Sequence, residues 1–104
     1  MSATTEVKKL IQERDLSSFT QKFRESGLDE QVSSWISKSQ NLPVVGNQIE
    51  RALGNDTVAG IAAKLGVTRD QAADELAEAV PEVVDEMTPE GQLPAQPTQG
   101  TPTV

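Results

Sequence analysis

The chain has 104 residues, 9 of them basic and 16 acidic, a formal net charge of −7, and neither cysteine nor histidine. Disulfides and thiolate metal sites are thereby excluded, and the commonest general base, imidazole metal ligand and thiol nucleophile are missing. No apolar run reaches the length of a membrane span, and the opening MSATTEVKKLIQERDLSSFT contains no apolar core of signal-peptide length. A single cytoplasmic domain is expected.

Helical spacing dominates from the start of the chain. Val7, Leu10 and Ile11 share a short apolar face and predict a helix over about residues 5–14, an N-terminal extension within residues 1–15. Leu16, Phe19 and Phe23 mark a second helix, opened by Ser17 or Ser18 and closed by Gly27. Leu28, Val32, Trp35 and Ile36 make a third face, with Asp29 and Glu30 favourably placed at the positive end of the helix dipole. Residues 37–46 read as a connection, because Pro43 removes a backbone donor and restricts Leu42 before it. Asn47 with Glu50 is expected to cap a short helix carrying Ile49, Ala52 and Leu53, which Gly54 ends.

The next segment spells a helix-turn-helix. Val58, Ile61, Ala62 and Leu65 fall on one helical face behind Asp56 as N-cap. Gly66 supplies a left-handed stop, and Thr68 with Gln71 forms a capping box that starts the following helix at once. Two helices joined so tightly must cross steeply. An αα-corner used only for packing needs the same residues. The charge of the second helix opposes nucleic-acid binding: Asp70, Asp74, Glu75, Glu78, Glu82, Asp85 and Glu86 face Arg69 alone. A recognition helix lies between rows of phosphates and needs cations.

Ala73, Leu76, Ala77 and Val80 continue the apolar face up to Pro81, where a break or kink is expected because the ring clashes with the carbonyl four residues back. Val83, Val84 and Met87 resume the pattern. Residues 89–104 are rich in Pro, Gly and Thr and read as a disordered tail beyond a domain spanning residues 16–88. The tail holds one PxxP match, Pro94 to Pro97, without a flanking Lys or Arg.

Candidate sites are few. Asp70, Asp74 and Glu78 recur every four residues on one stripe, which suits an acidic docking surface, a weak cation site or simply a solvated face. Trp35 fits a core position, and with Phe19 and Phe23 it is also a candidate anchor for a partner or a second copy. No nucleophile elbow, P-loop or dinucleotide fingerprint occurs.

The segments GLDEQVSSWI, NLPV, IERALG, IAAKLGVTRDQAA and AVPEVVDEMTPEG, in that order, resemble the YidB-like family of small bacterial proteins over about residues 16–94. The resemblance implies an all-helical, homeodomain-like domain of uncharacterised role, and it transfers no catalytic residues. Family members often open with a glycine- and leucine-rich stretch, whereas this chain opens with the polar TTEVKKLIQERD.

The expected fold is all-α, a compact array of five or six short helices over about residues 5–88 that contains a helix-turn-helix-like pair. The expected function is a non-enzymatic protein–protein interaction module with no cofactor and no metal, meeting a protein partner or another copy of itself. The alternative is a DNA-associated regulator using Lys8, Lys9, Lys22 and Arg24; an enzyme ranks third. Neither nucleic acid nor membrane is an expected partner.

Overall fold

Side-chain caps set where several helices begin. In the computed structural model, which describes residues 2–37, 40–89 and 91, Ser2 Oγ accepts from the amide of Thr5 at 3.2 Å and opens α1 (Ala3–Glu13). Asp15 Oδ1 accepts from the amide of Ser18 at 2.7 Å and opens α2 (Leu16–Glu25). The cap is therefore Asp15 rather than Ser17 or Ser18: a carboxylate is the stronger acceptor, and it also favours the positive helix end. After Gly27 (φ 87°) comes α3 (Asp29–Ile36), then α4 (Gly46–Leu53), α5 (Asn55–Leu65) and α6 (Arg69–Glu86). No strand occurs among the described residues.

Two more starts differ from expectation. At α4, Val45 rather than Asn47 is the cap residue, and its amide donates to Gln48 Oε1 at 2.9 Å. Valine offers no side-chain acceptor, so only half of a capping box forms. At α5, Gly54 (φ 93°) both ends α4 and begins α5, which moves Asp56 from the cap into the first turn. There it still benefits from the helix dipole.

The α5–α6 joint follows its sequence pattern. Gly66 is left-handed (φ 73°), and the amides of Gly66 and Val67 both donate to the carbonyl of Ala62, at 2.9 and 3.1 Å. Thr68 Oγ1 accepts from the amide of Gln71 at 3.1 Å, and Gln71 Oε1 accepts from the amide of Thr68 at 3.2 Å. That reciprocal pair satisfies two otherwise orphaned donors.

The longest helix, α6, is the hub of the fold, packing against α1, α3, α4 and α5. It runs through Pro81 without a break, so of the expected break or kink the break does not occur. Proline inside a helix costs about 3 kcal/mol. Pro81 is itself buried, as are Val80, Val83 and Val84 around it. Each such valine contributes about 1.5 kcal/mol or more by leaving water, so a helix that turned away at Pro81 would lose more than it regained.

Helix α1 is not an appendage to the domain. Ala3, Val7 and Ile11 join the same core as α6, and Glu6, only 2% exposed, ties α1 to α5. Its Oε1 lies 3.5 Å from Lys64 Nζ, and its Oε2 lies 3.8 Å from Lys9 Nζ. A buried carboxylate needs such partners, because removing it from water uncompensated costs several kcal/mol. The expected tail falls almost wholly outside the described residues, as does its PxxP match.

Candidate interaction surface

Residues 40–45, which lead into α4, are anchored by hydrogen bonds and carry exposed apolar side chains. Trp35 Nε1 donates to the carbonyl of Leu42 at 2.8 Å, and the amide of Leu42 donates to Ser34 Oγ at 2.9 Å. Asn41 Nδ2 reaches the carbonyl of Pro81 at 3.5 Å. Val44 is buried. With those points held, Leu42 and Val45 face solvent at 42% and 59% exposure, and of the large apolar side chains among the described residues only Met87 joins them in exposure. Scattered apolar side chains are ordinary on a surface; two on one anchored loop are less so.

The loop runs antiparallel to α6. At one end Asn41 meets Pro81, and at the other Gly46 meets Ala73 and Asp74. A Cβ placed on Gly46 would lie 2.7 Å from Asp74 Oδ1 and 3.3 Å from the Cβ of Ala73, so the missing side chain lets the first turn of α4 settle against α6. The Asp74 carboxylate thereby sits beside the amide-rich end of α4, where a negative charge is favoured.

Between α4 and α6 lies an open groove of about 360 Å³, lined by Val45, Asn47, Glu50, Asp70 and Asp74 among others. Glu50 Oε2 is answered by Arg69 Nε at 3.4 Å. Asp70 and Asp74 have no ion-pair partner among the described residues. Glu78, the third member of the predicted stripe, lies elsewhere: it lines a second groove against Ala3 and Thr4 of α1, with Glu75 and Glu82. The structure therefore joins two of the three acids to the loop and separates the third. Among the described residues no cluster of three or more acidic side chains is arranged to hold a metal ion.

The aromatic residues belong to the core. Phe19, Phe23 and Trp35 are each no more than 1% exposed. Phe23 packs at 5.2 Å from Phe19 and edge-on to Trp35 at 5.7 Å. An aromatic face open to a partner is thus corrected to an internal stack, because the two phenylalanines lie one helical turn apart and α3 closes over them. Trp35 still bears on the surface indirectly, through its bond to Leu42.

The cations of the alternative reading are partly engaged. Lys9 faces Glu6, and Arg24 Nη1 lies 3.3 Å from Asp29. Lys8 is exposed and Lys22 half-buried. The exposed face of α6 presents Asp70, Asp74, Glu75, Glu78, Glu82 and Glu86.

A model of the YidB-like protein family matches residues 7–96. The chain belongs to the YidB-like family. It is similar to the uncharacterized protein YidB of Escherichia coli strain K12, with 38% identity over 77 residues. That match takes in 73% of this chain and 58% of the relative, so the chain spans little more than half the relative's length. Its fold is similar to that of a homeodomain-like protein of unknown function, S4005, from Shigella flexneri, at a TM-score of 0.77 and 30% identity. The superposition covers 88% of this chain and 73% of that one. The all-α, homeodomain-like architecture expected from the sequence is the one this family member has. No helix among the described residues is long and apolar enough to cross a membrane.

The residues that sequence reasoning passed over are Leu42, Val45 and Gly46. Their signal was present but ambiguous: LPVVG reads as a loop, and nothing local decides which of its apolar side chains turns inward.

Proposed function

We propose that the chain is a non-enzymatic, cytoplasmic protein-interaction module that binds through the Leu42–Val45 loop and the adjoining α4–α6 groove. The observation that carries this reading is the pairing of a loop fixed at Trp35, Ser34 and Pro81 with two apolar side chains left in water above it. Holding a loop rigid in this way reduces the ordering entropy that binding must otherwise supply. The absence of histidine and cysteine from the whole chain supports a role without catalysis. The acidic exposed face of α6 supports a role without DNA contact through that helix.

Site-specific photo-crosslinking tests the proposal. A photoreactive residue replaces Leu42, Val45 or, as a control, exposed Gln12 in the full chain expressed in cells. Discrete heavier products from positions 42 and 45 but not from position 12 are expected. Absence of products at both loop positions, or equal yield at position 12, overturns the reading.

A further inference from the structure

Resting on the interaction reading above, we infer that the occupant of this surface is a cationic segment of another protein in which an apolar side chain stands beside Lys or Arg. The apolar half of the match is Leu42 and Val45. The charged half is Asp70 and Asp74, which share the groove that Val45 lines and have no ion-pair partner among the described residues. Glu50 in the same groove is already answered by Arg69.

Charge decides between occupants. A second copy docking symmetrically would bring like surfaces together. It would set Asp70 and Asp74 against their own counterparts in a chain of net charge −7. A nucleic acid would set phosphates against the same carboxylates. A neutral apolar segment would desolvate two carboxylates without a counter-charge. A Lys or Arg next to an apolar anchor satisfies both halves, and complementary charge also speeds encounter and fixes register.

The test uses the isotopically labelled full chain and three short synthetic peptides, alternating Lys–Leu, Lys–Ser and Glu–Leu. Amide shifts locate binding, and fluorescence anisotropy measures it at low and high salt. The Lys–Leu peptide is expected to shift Val45, Gly46, Asn47, Asp70 and Asp74, and to weaken as salt rises. Two exposed ion pairs are worth about 1 kcal/mol together, so the double variant Asp70→Asn with Asp74→Asn is expected to weaken binding about fivefold. A variant of equal charge change elsewhere, Glu30→Gln with Glu82→Gln, is expected to leave it unaltered. Val45→Ser is expected to weaken Lys–Leu and leave Lys–Ser unchanged. Shifts spread over other acidic surfaces, equal binding of Lys–Ser, or preference for Glu–Leu would overturn the proposal. Cross-links at positions 42 and 45 whose yield is undiminished in the Asp70→Asn, Asp74→Asn chain refute the cationic partner alone; no cross-links at all refute the interaction reading beneath it.

Discussion

Replacing Trp35 by Phe tests both the core and the loop above it. The indole is fully buried, donates one hydrogen bond to the Leu42 carbonyl at 2.8 Å and packs edge-on against Phe23 at 5.7 Å. Phenylalanine keeps the ring that meets Phe23 but removes the donor and the second ring. The lost bond costs about 1 kcal/mol, because Leu42 is partly exposed and water can take over some of its carbonyl's needs. The lost apolar contact and incomplete collapse around it cost about 1–2 kcal/mol more. A total of about 2–3 kcal/mol is large beside the roughly 5–15 kcal/mol that holds a small domain together. For a chain of this size it corresponds to a fall in Tm of about 10–20 °C. Far-UV circular dichroism during heating and in urea measures it, since the variant has no tryptophan left to report by fluorescence. Hydrogen exchange adds a local readout: amides of Leu42 and Val44 should exchange faster, beyond the global loss of stability, while those around Gly66 should not. A Tm within about 3 °C of the parent, with unchanged exchange at Leu42, would refute the claim that the indole anchors the loop.

Other substitutions probe the helix joints and the hub. Pro81→Ala restores a donor for the Ala77 carbonyl and relieves about 3 kcal/mol of helix penalty, against about 1.6 kcal/mol for two buried methylenes lost; a net gain near 1 kcal/mol is expected in urea unfolding. Destabilisation of more than 1 kcal/mol would mean that the ring's packing outweighs its backbone cost. Thr68→Ala removes the acceptor at 3.1 Å from the Gln71 amide and should lower stability by about 1 kcal/mol in the same assay. Gly66→Ala places a Cβ on a residue at φ 73°, with open space around it, so only the backbone term of about 1 kcal/mol is expected by chemical denaturation. A larger loss there would show that the joint tolerates less than its geometry suggests.

The helices and the tight α5–α6 joint were legible in the order of residues alone, because these depend on neighbours three and four residues away. Val58, Ile61 and Ala62 declare a face by spacing alone, and Gly66 and Thr68 act on backbone groups within one turn. The family likeness was legible for the same reason, as a fixed order of such local segments. Cap positions at α2, α4 and α5 slipped by two or three residues, since Asp15, Val45 and Gly54 compete with neighbours for a boundary that propensity defines only loosely.

What the chain does with those helices was decided only in three dimensions. Pro81 stays within α6 because Val80, Val83 and Val84 beside it are buried in the core that other helices build around α6, a term that no local window contains. Glu6 looks like any surface acid until α5 brings Lys64 to it from far along the chain. Phe19, Phe23 and Trp35 had the composition of an interface but became a core once α2 and α3 closed on one another. In the run LPVV, Val44 turns inward while Leu42 and Val45 turn outward, because Trp35, Ser34 and Asn41 hold the backbone between them. Burial of an apolar side chain is non-directional and roughly proportional to area. Which of several equivalent side chains is buried is therefore settled by the hydrogen bonds that fix the chain around it.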